Sequence, residues 1–486
     1  MPFLAPIAAG IAAFAATAVG GFLINLAISF VIGRIVQNRM KKKMEAMQRA
    51  NRPSVMVNTA SNNEAIPVAY GRTRIGGNRL YTESTDGAGN TNINTHLNMI
   101  FSICEGEVTS IKQVWFDNKI VWDADNGGTI DGNNKLGGFI SEFAPALNDS
   151  ATKVVFYNGT DSQTADSELQ TSIGSQWTSN HRLRGIVYCG MVLKANSEVY
   201  KGGLPLMTFV IEGKPVLDVS QLPSQVNASA TYDMNPVDVL YDYMINTRYG
   251  KGLDHNASGV YTPGLHIDYE SFATARGQVS SLFKLNGVVD TNVPLFDNVG
   301  EILESMNGVL IFQNGKYTLK IKRQNETPAL VFTDTKILSP VSVTMPAKAA
   351  KFNKVLADYR NKVSGTDYND DIAIVENATY LSEDNGTELE GRIRLDLIDD
   401  TTLINTMATY TMNESRYQQK INFDAAHTVL KIQCGEIVGM NLPEFGWGTD
   451  DGYPNGKLFR VDSMSMNPDN TISIEATEYE SSIQLV

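Results

Sequence analysis

Hydrophobic positions change their period along this 486-residue chain, and the changes divide it. Phe3 to Gly33 is a run of 31 residues without a charge, Asn25 being its one strongly polar side chain. As a continuous helix it is about 46 Å long, more than the roughly 30 Å hydrocarbon core of a bilayer, although Gly20-Gly21 can break it. Ala8, Ala12, Ala15 and Ala16 stand at near-helical spacing and let helices approach closely. Positive charge (Arg34, Arg39, Lys41, Lys42, Lys43) follows the apolar run instead of preceding it, the wrong order for a signal peptide. Three readings stay open for this segment: a membrane anchor, a helix bundled with its own copies, or one that enters a membrane on release. In the last two, Phe14, Phe22, Leu23, Leu26, Phe30 and Ile32 do the plugging or inserting.

From about residue 54 the period falls to two. Strands are expected at Met99–Cys104, Ile111–Phe116, Ile120–Trp122, Lys153–Tyr157, Gly185–Leu193 and Pro205–Ile211. A Pro, Ser and Gln-rich passage from Pro215 to Ser229 then separates them from a helical pattern. In Asn235 to Leu253, NPVDVLYDYMINTRYGKGL, Asp233 or Asn235 can cap a helix beginning at Pro236. Val237, Leu240, Tyr241 and Met244 fall on one stripe, and Gly250 and Gly252 let the chain leave after Arg248 and Tyr249 in the last turn. This reads as a buried docking helix. Further helices are expected at Tyr269–Gln278 and from Leu295 through Met306, then a hairpin turning at Asn314-Gly315. Beyond Pro346 come a strand at Val355–Tyr359, a helix capped near Asp399 to Thr401, and strands at Leu430–Ile432, Ile437–Met440, Phe459–Val461 and Ile472–Ile474. The expected fold is therefore mainly β with α+β insertions, two β-barrels flanking a mixed region behind a hydrophobic N-terminal helix. The expected divisions are 1–50, 51–215, 216–345 and 346–486.

Charge sharpens this division. Residues 1–50 carry +5, so a whole-chain net of −13 leaves −18 for residues 51–486, and an acidic body repels nucleic-acid phosphates. Cys104, Cys189 and Cys434 are too far apart for a CxxC pair, which argues for a reducing compartment and against a disulfide framework or zinc site. The five histidines form no HExxH, and GxSxG and P-loop patterns are absent. Asp123, Asp125 and Gly128 resemble the start of a calcium loop, but Asn134 stands where the bidentate Glu belongs, so a surface loop is expected. Trp115 and Trp122 read first as core. No enzyme and no cofactor are expected.

Several loose motifs occur in an order that resembles the tail-hub family of long-tailed bacteriophages, that of the lambda-type tip attachment protein. They are IPVAYGRTRIGG from Ile66, ICEGEVTSIKQVWFDNKIV around Cys104, and the helix led by Asn235 and Pro236 with Leu240, Tyr241, Arg248, Tyr249 and Gly250. GKYTLKIK at Gly315, NKVLADYRN at Asn353, GEIVGMNLP at Gly435 and KLFRVDSMSMNPDNTISIEATEY at Lys457 complete the series. The resemblance implies a homotrimer closing the distal end of the tail tube, made in the host cytoplasm, with two tube-like barrels per chain giving pseudo-sixfold symmetry. It implies distal tail, tube and tape measure proteins as neighbours, DNA sliding through the lumen unbound, and the host membrane as a partner on ejection. Many members continue into fibronectin-like and receptor-binding regions, whereas this sequence stops at Val486, so direct receptor recognition is not implied. Two alternatives come from the residues alone: a membrane-anchored adhesin held by residues 3–33, and a carbohydrate-cleaving tail enzyme using an unidentified carboxylate pair.

Overall fold

The computed structural model describes residues 58–484 apart from 62–64, 92–93, 196–199, 201–202, 223–229, 280, 325, 346–349 and 363–367. The apolar and basic N-terminal residues singled out above lie outside the described residues.

The described chain opens with β1 (Val68–Tyr70), β2 (Arg72–Ile75), β3 (Asn78–Thr85), β4 (His96–Glu105), β5 (Ser110–Phe116) and β6 (Lys119–Asp123). A small hairpin of β7 (Thr129–Ile130) and β8 (Leu136–Gly137) spans the polar loop, followed by α1 (Ala144–Leu147), β9 (Lys153–Tyr157) and α2 (Ser167–Ile173). Then come β10 (Ile186–Lys194) and β11 (Met207–Glu212). Two four-stranded sheets result, ordered β3-β4-β10-β9 and β2-β11-β5-β6. One core that includes Phe101, Met191, Trp122 and Phe209 draws on both sheets, and α2 covers the other face of the first through Leu169 and Ile173. Burial on both faces explains why β4 and β10 read as nearly continuous apolar runs instead of alternating ones.

Here the expectation of a barrel needs correction. Among the described residues no ladder joins the two sheets, so the region is a pair of open sheets sharing a core. Each sheet buries an apolar face against the other, and the ladder need not close for that.

The middle of the chain carries α3 (Pro236–Ile245), α4 (Tyr269–Gln278), β12 (Gly287–Val289), α5 (Leu295–Glu304), β13 (Gly308–Gln313) and β14 (Lys316–Ile321). Asn314 and Gly315 turn the hairpin with φ of 51° and 78°, as an Asn-Gly pair allows. β1 pairs with β12 across a wide sequence gap, Val68 opposite Val289.

The remainder runs β15 (Leu330–Phe332), β16 (Ser342–Thr344), β17 (Lys354–Lys362), β18 (Tyr368–Glu376), α6 (Ala378–Glu383), β19 (Glu390–Leu395) and α7 (Thr401–Glu414). It ends with β20 (Lys420–Ala425), β21 (Ile437–Met440), β22 (Lys457–Met466) and β23 (Ile472–Glu478). Asp400 caps α7 by accepting from the backbone N–H of Thr402 and Leu403 at 2.8 and 3.0 Å. The segment expected as a strand at Leu430–Ile432 is a 3₁₀ turn over His427–Lys431, held by i→i+3 bonds such as Val429 N–H to Ala426 O.

A six-stranded sheet, β15-β21-β22-β23-β20-β16, forms the second β unit. It is curled: Phe332 on the β15 edge meets Phe423 on β20 edge to face, ring centroids 5.0 Å apart. Its two ends share a side-chain core that includes Trp447 and Phe459, yet no ladder joins β15 to β16 among the described residues. This unit too is an open sheet where a barrel was expected. A separate sheet, β18-β17-β19, packs against α7 and joins the central core through Val355, Ala357 and Tyr359.

Candidate functional site

The signature helix α3 is buried on every side. Val237, Val239, Leu240 and Tyr241 are fully enclosed, and Tyr243 and Met244 nearly so. Asn235 caps it, its side-chain oxygen accepting from the Val237 N–H at 2.9 Å, with Pro236 in the first turn. Asp233 instead accepts from the N–H groups of Met234 and Asn235. The helix ends at Ile245, one turn earlier than expected, so Arg248 and Tyr249 lie in the loop beyond it. Asn246 organises that loop by accepting from the N–H of Arg248 at 2.9 Å.

This loop is where separate parts of the chain meet. The Asp242 carboxylate accepts from Tyr70 Oη at 2.7 Å and Tyr249 Oη at 3.1 Å, with the Lys214 ammonium 3.8 Å away. Arg248 pairs with Glu105 at 2.5 Å and passes over Gly185, where an added Cβ would sit 2.1 Å from its Nη1. Tyr249 stacks on Tyr243 with ring centroids 6.3 Å apart. Three motifs of the series therefore converge: Tyr70 belongs to the first, Glu105 to the second, and Asp242, Arg248 and Tyr249 to the helix. The first β region and the central core are pinned together at this point.

Two more buried carboxylates brace the helix. Asp238 accepts from Arg276 Nε at 2.7 Å and from the Val219 N–H at 3.0 Å, and Arg276 also reaches Asp218 and Asp233. Asp254 is fully enclosed and accepts from the N–H groups of Gly264, His266 and Ile267 and from Tyr241 Oη. Sequence reasoning singled out neither Asp254 nor Arg276. Asp254 follows directly on the signature, and its backbone donors lie ten to thirteen residues further on.

Burial pushes the Asp238 carboxyl up to about 6, outweighing its pairing with Arg276, and raises those of Asp242 and Asp399 as well. A carboxyl raised in the folded state keeps its proton there after the unfolded chain has lost it. The stability that Asp238 contributes therefore falls as pH rises from about 4 to about 6, and Asp242 and Asp399 act in the same direction. Asp86 and Asp469, held low by hydrogen-bond donors, act oppositely and lose their contribution in stronger acid. The melting temperature is expected to rise by ~2 °C or more from pH 7.5 to pH 5 and to drop again below pH 4. A melting temperature that falls steadily from pH 7.5 downward contradicts this assignment of the buried carboxylates.

Among the described residues no cluster of three His, Cys, Asp or Glu could hold a metal ion, and all three cysteines are buried thiols. Trp115 and Trp122 are core residues, as expected. Asp123 accepts from Gln113 Nε2 and from the Asp125 N–H, an ordinary loop arrangement.

No family model matches the chain. In sequence it is 21% identical over 322 residues to the baseplate hub protein pb3 of Escherichia phage T5, across 62% of this chain and 32% of that protein. The chain thus spans about a third of the length of that curated relative. In structure it is similar to a chain from the virion of a native gene transfer agent particle, with a TM-score of 0.58 and 14% identity. That likeness of fold covers 99% of this chain and 98% of the other.

Proposed function

We propose, on the premise that this chain is a relative of phage baseplate hub proteins, that it is a structural part of a phage-type tail tip. Three copies close the distal end of the tail tube and open for passage of DNA into the host. The sequence kinship carries this reading, and the meeting of three hub-like motifs at the Asp242 junction supports it. The part played is mechanical, not enzymatic. Two β units, one at each end of the described chain and each an open sheet or pair of sheets, give each copy two tube-forming elements. Distal tail, tube and tape measure proteins are its neighbours.

A threefold arrangement brings three copies of the uncharged run Phe3 to Gly33 near one axis, where they bundle as a plug in the dry lumen. On opening they enter the host membrane, and the basic stretch behind them meets its anionic surface. The −18 of residues 51–486 keeps DNA from sticking to the tube wall.

Native mass spectrometry of the full chain in mild detergent tests the assembly. Three times 53.2 kDa, about 160 kDa, is the expected mass. A monomer that fractionates with membranes removes the hub reading and favours the anchored adhesin.

A further inference from the structure

The hydrophobic interior is divided, and the division falls at two glycines. Among the described residues, the core between the two four-stranded sheets draws on residues 75–211 and takes only Ala69 and Val288 from outside them. The central core takes Val68 and Tyr70 of β1 and then nothing before Val216. The chain passes from one body to the other at Gly71, between β1 and β2, and returns at Gly213, just after β11. These crossings lie side by side. The Gly213 N–H donates to the Gly71 carbonyl at 2.7 Å, and the Lys214 N–H to that of Ala69 at 2.8 Å. Neither crossing has room for a side chain. A Cβ on Gly213 would sit 2.4 Å from the Ala69 carbonyl oxygen, and one on Gly71, where φ is +63°, 2.2 Å from that of Leu285.

Each sheet of the first body is also held by a contact to the other body. On the first sheet, Arg248 pairs with Glu105 at the end of β4 and lies over Gly185, just before β10. On the second, Tyr368 of β18 is buried against Trp115 of β5 and Val210 of β11. A polar chain runs between the bodies as well. The Arg72 N–H donates to Asn286 Oδ1 at 2.8 Å, and Asn286 Nδ2 donates to Asp399 Oδ1 at 2.8 Å. Arg72 Nε and Asp399 Oδ2 are buried here with no hydrogen-bond partner among the described residues, a cost that water relieves when the bodies part.

We infer that Gly71 and Gly213 form a hinge, about which the first pair of sheets turns as one body once the Arg248 and Tyr368 contacts let go. Glycine absorbs changes of φ and ψ that other residues resist, and both glycines stand at strand ends, where hinges are found. Two crossings bonded to each other restrict the turn to one axis. Bodies with separate cores and a largely polar boundary move against one another more readily than bodies that share a core. The hinge belongs to the single chain and stands apart from the hub reading.

The test measures distances between spin labels on the full chain in mild detergent by double electron–electron resonance. All three natural cysteines are buried, so labels go to introduced ones. Thr171→Cys on α2 and Asn405→Cys on α7, both exposed, report across the hinge, and Thr171→Cys with Asn133→Cys reports within the first body. Labelled chain is diluted in unlabelled chain so that pairs between copies do not contribute. Three variants are made separately: Arg248→Ala, Tyr368→Ala, and Gly71→Ala, whose Cβ wedges against Leu285 and Asn286. One axis predicts that they populate the same second distance across the hinge, displaced by several ångströms from the parent's. The distance within the first body stays as in the parent. If no two variants share a second distance, the inference is overturned. Loss of the distance within the first body shows that it is not a body of its own and overturns the inference too.

Discussion

Tyr241→Ala destabilises the folded chain by about 4 kcal/mol, whereas Tyr241→Phe costs about 1–2 kcal/mol. The difference separates packing from hydrogen bonding. Tyr241 is fully enclosed in the central core, edge to face with Phe272 at 5.7 Å, so truncation removes a large buried ring and leaves a cavity. Its hydroxyl meets Asp254 Oδ2 at 3.1 Å and Tyr261 Oη at 2.9 Å. Phenylalanine keeps the ring and removes only those two bonds, while Asp254 retains its three backbone donors. Urea unfolding of the two variants and the parent reads both numbers. An alanine variant within about 1 kcal/mol of the parent would mean that α3 is not the centre of the core.

Gly250→Ala is expected to cost about 3 kcal/mol, a large effect for one added methyl. A Cβ at this position lies 1.9 Å from the Tyr243 carbonyl oxygen and 2.9 Å from that of Asn246, both backbone atoms. They cannot yield without shifting the end of α3. The shift propagates to Tyr249, which stacks on Tyr243, and to the Arg248–Glu105 pair that holds the first β region. Gly277→Ala is the matched control. It lies in α4 with nothing near its Cβ position and is expected to stabilise by up to ~1 kcal/mol through helix propensity. Thermal unfolding of the pair gives opposite signs if close backbone approach is what Gly250 provides. Equal small effects refute it.

Local chemistry made α3 legible in the sequence. A capping Asn235, Pro236 in the first turn and apolar spacing at i, i+3 and i+4 are all encoded within a few residues. The same holds for the Asn314-Gly315 hairpin and for α7 behind Asp400. Its partners were not legible. Tyr70 and Asp242 are 172 residues apart, and no periodicity relates them; only the order of motifs hinted that they belong together. The barrel expectation failed for a related reason. Alternation tells which face of a strand is buried, but closure depends on which strands pair, and β4 finds its partners in β3 and β10. β18 and β19 escaped notice because their charged residues, such as Asp370, Asp371, Arg392 and Arg394, dilute the apolar alternation that marks a strand.

The most direct test of the hub reading is cryo-electron microscopy of whole particles, locating this chain and its symmetry. A threefold ring at the distal end of the tail tube, with residues 3–33 near the axis, is the result expected. Density standing off the axis as spikes, or no place for the chain in the particle, contradicts it.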